Sequence, residues 1–156
     1  MIQLRQARSD EIAALWELRT RAVAHACAPH YTPEVLAVWL ASPAPASLHQ
    51  LVARGGGITA VEDNQLLGYA VLDAHSGEVD AVFVAPEQHQ RGIGRLLLAA
   101  LEADARLAGL RRLFLSASLN AVPFYRTMGF TAVREELYPH RSGLGIASVY
   151  MEKVLA

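Results

Sequence analysis

The 156-residue chain has a single cysteine, Cys27, so no disulfide can close within it and no second thiol supports dithiol chemistry. Long apolar runs are missing as well. No stretch approaches the roughly 18 residues of a membrane span, which excludes a bilayer-crossing helix. The opening residues, MIQLRQARSDEI, have no apolar core behind their basic residues, so the expectation is a cytoplasmic protein with no membrane partner. An excess of one charge is missing too: the net charge is −1, and acids are interspersed with Arg91, Arg95, Arg111 and Arg112. A nucleic-acid partner, which needs broad phosphate neutralisation, is therefore not expected. A small anionic ligand at one spot stays open.

What is present is a hydrophobic fraction of 53% in a length suited to one domain over residues 1–156, without internal repeat or low-complexity tail. Residues 3–7 suit a short edge strand. Ser9 suits a helix cap, with Asp10 and Glu11 in the first turn, and Ile12, Leu15, Trp16 and Ala22 recur at helical spacing to about His25. Thr32-Pro33-Glu34 opens a second helix whose buried side is Val35, Leu36, Trp39 and Leu40, and the proline-rich run after Ser42 ends it. Gly55-Gly56-Gly57 reads as a flexible linker. From Ile58 the period becomes two: strands over 58–62, 65–73 and 78–84 are joined by turns at Asp63-Asn64 and His75-Ser76-Gly77.

The longest helix is expected over 92–107, with Ile93, Leu97, Ala100, Leu101 and Ala105 inward and Gly109 as its stop. A strand over 113–118, a short helix over 120–128 and strands over 130–137 and 147–154 complete a mixed α/β (α+β) order. Its one crossover helix joins strands that should lie parallel.

Gly92-Ile93-Gly94 at a strand-to-helix turn is built for an anion, because backbone N–H groups and the helix dipole converge there. The dinucleotide fingerprint fails, since Leu97 stands where a third glycine belongs. A Walker loop fails as well, since Arg95-Leu96 follows rather than Lys-Ser or Lys-Thr. Close packing of helix on strand is the plain alternative for these glycines.

Two motifs in order decide between these readings. Val84-Ala85-Pro86 leads into His89-Gln90-Arg91-Gly92-Ile93-Gly94, and the segment from Asn120 through Phe124-Tyr125 to Gly129-Phe130 follows the next strand. The pair resembles the GNAT family, the GCN5-related N-acetyltransferases, over the chain from about Ile58 onward. The resemblance implies a mixed sheet of six to seven strands, splayed between its two central parallel strands and flanked by about four helices. It implies acetyl-CoA as cosubstrate and no metal. Gln90, Arg91, Gly92, Ile93, Gly94 and Arg95 would seat the pyrophosphate through backbone amides, with His89 standing where the family has glutamine or arginine. Val82, Phe83 and Val84 would pair with the pantetheine arm, Asn120 would contact that arm, and Tyr125 would stand near the thioester sulfur.

Acetyl transfer to an amine needs a neutral amine, a polarised carbonyl and a protonated leaving thiolate. Tyr125 is the expected general acid, against the alternative of a core tyrosine packed on Phe124 and Phe130. The Val84 N–H is expected to polarise the carbonyl. Glu78 and Asp80 share a strand face by alternation, with Val82 on the same face; Asp80 is the preferred base or water relay and Glu78 the second. Exposed hairpin carboxylates are the alternative.

His25, Cys27, His30 and Tyr31 gather at the junction of the first two helices. A substrate-facing loop is expected there rather than zinc, for which further ligands are lacking. Trp16 and Trp39 are assigned to the core. The resemblance also implies that the connection between the last strands, with His140, Arg141 and Gly143, shapes acceptor choice. The expected function is N-acetyl transfer to a small metabolite amine or amino acid. A protein N-terminal or lysine acetyltransferase and a non-catalytic acetyl-CoA sensor are the alternatives, and a homodimer through the last strand is possible.

Overall fold

The computed structural model describes residues 1–140 and 142–155, so the expectation placed on Arg141 lies outside the described residues. Seven strands form one mixed sheet: β1 (Gln3–Gln6), β2 (Gly57–Glu62), β3 (Gln65–Asp73), β4 (Glu78–Val84), β5 (Arg112–Ser118), β6 (Thr131–Pro139) and β7 (Gly145–Val154). Their order is β1-β2-β3-β4-β5-β7-β6. Every neighbouring pair is antiparallel except β4 and β5. The exception follows from the crossover helix between them, since a strand can return parallel only by such a connection.

Among the described residues five α-helices, one more than the expected four or so, flank the sheet: α1 (Ile12–Cys27), α2 (Pro33–Leu40), α3 (Ala46–Ala53), α4 (Ile93–Leu107) and α5 (Val122–Thr127). The extra one is α3, which buries Leu48, Leu51 and Val52. Its eight residues follow a proline-rich run and give only two turns of periodicity, too little for a pattern to stand out.

The glycine run after it is no flexible linker. Gly56 donates to Leu51 O and accepts from Leu72 N–H at 2.9 Å each, and a Cβ there would lie 2.4 Å from Leu72 O. The run is glycine because two backbones meet at it.

The sheet separates two cores. Leu97, Leu98 and Leu101 of α4 pack with Leu113, Leu115 and Met151 on one face. Leu15 and Leu18 of α1 and Leu48 and Leu51 of α3 pack with Tyr69 and Val71 on the other. On α4, Leu98 is buried and Ala100 only half-buried, so the buried arc is rotated from the expected one. Helix α2 is also shallower than expected, with Val35, Leu36, Trp39 and Leu40 all half-buried.

Helix starts divide similarly. Thr32 caps α2 as expected, its Oγ1 accepting from Val35 N–H at 3.2 Å. Ser9 caps nothing: residues Ser9–Glu11 form a 3-10 turn, and α1 begins at Ile12. The Glu11 carboxylate instead accepts from both Arg5 guanidinium nitrogens, at 2.8 and 2.6 Å, and from Arg8 N–H at 2.8 Å.

The last strand, β7, lies between β5 and β6 with both edges hydrogen-bonded. It therefore cannot pair across a dimer; the free edges belong to β1 and β6.

Candidate functional site

Strands β4 and β5 are in register at one position, Glu78 opposite Phe114, with Phe114 N–H donating to Gly77 O at 3.1 Å. Beyond that point they part. The divergence opens a cavity of about 810 Å³ walled by the rest of β4, the end of β5, the α1–α2 junction, the turn before α4 and the start of α5. Unpaired edges of two central strands are rare in a folded sheet, and here they face each other across a gap that an extended ligand can enter.

The turn before α4 closes one end. Gln90 and Gly92 both adopt left-handed backbone, at φ 63° and 75°, and Gly92 is the N-cap of α4 with no side-chain cap on the helix start. Successive turns of this kind, followed by an uncapped helix N-terminus, concentrate backbone N–H groups for an anion. The two glycines serve different ends. Gly92 is needed for its conformation, with open space where a Cβ would go; Gly94 is needed because the Phe124 ring lies 3.3 Å from where its Cβ would stand. The plain packing alternative thus holds for Gly94 alone.

His89, Gln90, Gly92, Ile93, Gly94 and Arg95 line the cavity. Arg91 does not. Its guanidinium is bonded to both Glu62 oxygens, at 3.1 and 3.2 Å, and to Gln88 Oε1 at 2.6 Å, which ties its side chain to the end of β2. The His89 ring lies 5.3 Å from that of His25, so α1 reaches the turn directly.

Asn120 lines the cavity just after β5, and its Oδ1 accepts from Cys27 Sγ at 3.1 Å. Burial pushes the Cys27 thiol up to about 11, against the opposing effects of Ser118 and Arg19. A protonated, buried thiol is a donor and no nucleophile. Tyr31 is similarly committed: its hydroxyl donates to Ala147 O at 2.6 Å and accepts from Leu119 N–H at 3.0 Å, strapping the α1–α2 junction to the far half of the sheet. His30 is exposed and outside the cavity wall. Of the four residues expected at this junction, His25 alone presents a side chain to the cavity without such a tie.

Tyr125 is 7% exposed, in edge contact with Phe124 at 5.2 Å and Phe130 at 5.6 Å. Both the site reading and the core reading are therefore visible in one residue. It lines the cavity, its hydroxyl makes no hydrogen bond to a described residue and so opens onto the cavity rather than being sealed in protein, and burial raises its pKa.

The carboxylates sit on a β-bulge. Val71 pairs with Ala81 but Leu72 with Val79, leaving Asp80 as the extra residue of β4. The bulge reverses the alternation, which corrects the expectation that Val82 shares the carboxylates' face. Val79 and Val82 pack on the α4 side, whereas Ala81 and Phe83 pack on the α1 side with Tyr69 and Val71.

Glu78 and Asp80 stay together regardless. Burial raises Glu78, helped by the charges of Asp80 and Asp73, and burial raises Asp80, helped by Asp73. By surface area Asp80 is exposed and Glu78 half-buried, so Asp80 is crowded at the cleft rather than sealed from water. Tyr138 of β6 overhangs both, its own pKa raised by burial and then by those two charges.

Several wall residues have no motif to announce them. Trp16 and Trp39, expected in the core, line the cavity half-buried. Arg19, 4% exposed, lies 4.2 Å over the Trp16 ring and donates to Trp39 O at 2.9 Å. Tyr69, from the middle of β3, is 1% exposed. The three-residue spacing of Trp16 and Arg19 on one helix face was a usable signal; nothing near Tyr69 marks it.

His140 holds the β6–β7 turn over this wall. Ser142 N–H donates to its Nδ1 at 3.1 Å, so Nε2 carries the proton to Ser42 Oγ at 2.7 Å, and Ser42 Oγ–H donates to Val38 O at 3.1 Å. Gly143, at φ 90°, shapes the turn itself.

Among the described residues no group of three or more His, Cys, Asp or Glu side chains is placed to hold a metal ion, and no helix is long and apolar enough to cross a membrane.

A family model described as acetyltransferase (GNAT) domain matches residues 27–155. An uncharacterized N-acetyltransferase of Escherichia coli (strain K12), YafP, is 27% identical over 150 residues, spanning 96% of this chain and 94% of that protein. A GCN5-related N-acetyltransferase structure from Rhodopseudomonas palustris superposes with TM-score 0.85 at 24% identity, covering 98% of this chain and 95% of that one. The PaiA N-acetyltransferase of Thermoplasma acidophilum, solved with coenzyme A, gives TM-score 0.76 at 20% identity over 99% of each chain.

Proposed function

The chain belongs to the GNAT acetyltransferase family, and from that premise we propose that it transfers acetyl from acetyl-CoA to a primary amine of a small metabolite or amino acid. The observation that carries the reading is the parting of β4 and β5 after a single paired position, with the uncapped start of α4 at the end of the gap. An extended pantetheine arm suits the free edges, and a pyrophosphate suits the turn at Gln90 and Gly92. Acetyl-CoA supplies an activated thioester.

Within this reading the chain's own groups divide the work. Asp80, its proton affinity raised, takes a proton from the acceptor ammonium directly or through water, with Glu78 beside it. The Val84 N–H, on the freed stretch of β4, donates to the carbonyl oxygen as charge grows there. The new bond joins amine nitrogen to acetyl carbon, the carbon–sulfur bond breaks, and Tyr125 gives its proton to the departing sulfur; the second proton shed by the nitrogen as the amide forms passes through water to reprotonate Tyr125. A tyrosine kept protonated by burial is suited to that donation. Asn120, oriented by Cys27, holds the arm.

The test is Tyr125→Phe at saturating acetyl-CoA, which should lower kcat about 100-fold, the usual scale of general acid catalysis. An unchanged kcat removes Tyr125 as the acid. Preference for peptide N-termini or lysyl peptides over small amines would replace the acceptor class. Tight coenzyme A binding with no transfer to any amine would replace the enzyme by a sensor module.

A further inference from the structure

Arg19 and Tyr69 have no place in the transfer chemistry above, yet both line the acceptor side of the cavity. Tyr69 as a whole is 1% exposed, yet its hydroxyl makes no hydrogen bond to a described residue; since no sealed side-chain oxygen or nitrogen among those residues lacks a partner, that hydroxyl opens onto the cavity. A hydroxyl held by a buried ring and aimed into a cavity, with no protein partner, is a donor left for a ligand or water.

The surroundings of that hydroxyl are polarised. Its pKa is raised by burial, lowered by the nearby positive charge of Arg19 and raised again by Asp80, so it lies within electrostatic reach of both. The strand pairing agrees: Val71 opposite Ala81 and Tyr69 opposite Phe83 put Tyr69 on the α1 face, next to the Asp80 bulge. Arg19 is set in advance by the Trp16 ring and by Trp39 O, so a ligand need not order it on binding.

We propose that Arg19, Tyr69 and Asp80 form a subsite for a free α-amino acid, whose carboxylate is held by the Arg19 guanidinium and the Tyr69 hydroxyl and whose amino group faces Asp80. The proposal rests on the transferase reading and narrows its acceptor. A zwitterion whose ammonium and carboxylate share one carbon matches a wall on which Arg19 and Asp80 both lie near one hydroxyl donor. A polyamine would bring a second cation against Arg19. A peptide N-terminus has no carboxylate at this spacing and would leave the Tyr69 hydroxyl without an acceptor.

The experiment compares kcat/KM for leucine, phenylalanine and methionine, each against its carboxamide and its decarboxylated amine. The free acids should lead by about 100-fold, since a site built to hydrogen-bond a group rejects analogues that lack it. Tyr69→Phe should shrink that ratio about tenfold, and Arg19→Gln should shrink it further. The ratio is the informative quantity, because general damage to the fold lowers all three substrates alike. If Arg19→Gln does not fold, Tyr69→Phe alone decides.

Amines or amides acetylated as well as the acids overturn the subsite while the transferase reading stands. An unchanged ratio in Tyr69→Phe overturns it too. Failure of every acceptor with coenzyme A still raising the melting temperature overturns the transferase reading and the subsite together.

Discussion

Cys27 donates its thiol hydrogen to Asn120 Oδ1 at 3.1 Å, joining the end of α1 to the residue that follows β5 across the splayed gap. The thiol has been turned from a reactive group into a positioning one, because burial keeps it protonated. With Oδ1 turned to Cys27, the Asn120 amide nitrogen is the donor left for the cavity, and Oδ1 keeps one lone pair.

Cys27→Ala should therefore raise KM for acetyl-CoA about 3- to 10-fold with kcat little changed, as expected for one hydrogen bond of about 1 kcal/mol. Cys27→Ser should restore most of the loss, because a hydroxyl can donate in the same place. Steady-state kinetics on both variants check this, and an equal fall in kcat for both would contradict it.

Asp80 carries a prediction in pH. Its pKa is raised by burial and then by Asp73, so as a base it should give a rising limb in kcat/KM above the ordinary carboxylate range. Asp80→Asn should lose that limb along with most activity. The same shift has an opposite sign for stability. A raised carboxyl contributes stability only while protonated, fully below its unfolded value, and this is lost as pH rises through the folded value. Asp80→Asn should accordingly raise Tm relative to the parent at pH 7, and the gain should vanish toward pH 3. A variant less stable than the parent at pH 7 would refute the linkage.

Glu11 behaves inversely. Hydrogen bonds from Arg5 foremost, and from Arg8 N–H, hold it at about 2, so its contribution is present above the unfolded value of 4.5 and lost as pH falls toward 2. Glu11→Gln should cost about 1–2 kcal/mol at pH 7, solvent screening trimming the full effect, and the gap between variant and parent should close at acid pH. Denaturant melts at several pH values measure it.

The two glycines of the turn should separate. Gly92→Ala meets no atom but forces a Cβ into left-handed backbone, a cost of about 1 kcal/mol. Gly94→Ala meets the Phe124 ring, which must give by a few tenths of an ångström, and should disturb α5 and hence Tyr125. A fall in kcat for Gly94→Ala exceeding that for Gly92→Ala is the expected kinetic result.

The parts of this fold that were legible are those governed by local rules. Thr32 as a cap, Gly109 as a stop, the Asp63-Asn64 hairpin and the α4 crossover each follow from a few adjacent residues and came out as read. The ordered pair of motifs around Gly92 and Asn120 identified the family for the same reason: each motif is contiguous. What failed depended on neighbours distant in sequence. Helix α3 is too short to declare itself, Ser9 lost its capping role to Glu11 once Arg5 arrived from β1, and β7 became interior when β6 paired outside it.

The same division runs through the site. Contiguous residues determined that a glycine turn precedes a helix, and that a Phe-Tyr pair follows the next strand. Only the tertiary structure decided that Arg91 turns to Glu62, that Cys27 serves Asn120, and that one extra residue at Asp80 puts Val82 on the opposite face. It alone brought Arg19 and Tyr69, fifty residues apart in the chain, to one wall. The physical reason is that backbone preference and hydrophobic period act over a few residues. Pairing of charges, satisfaction of buried donors and strand register are settled only when segments meet.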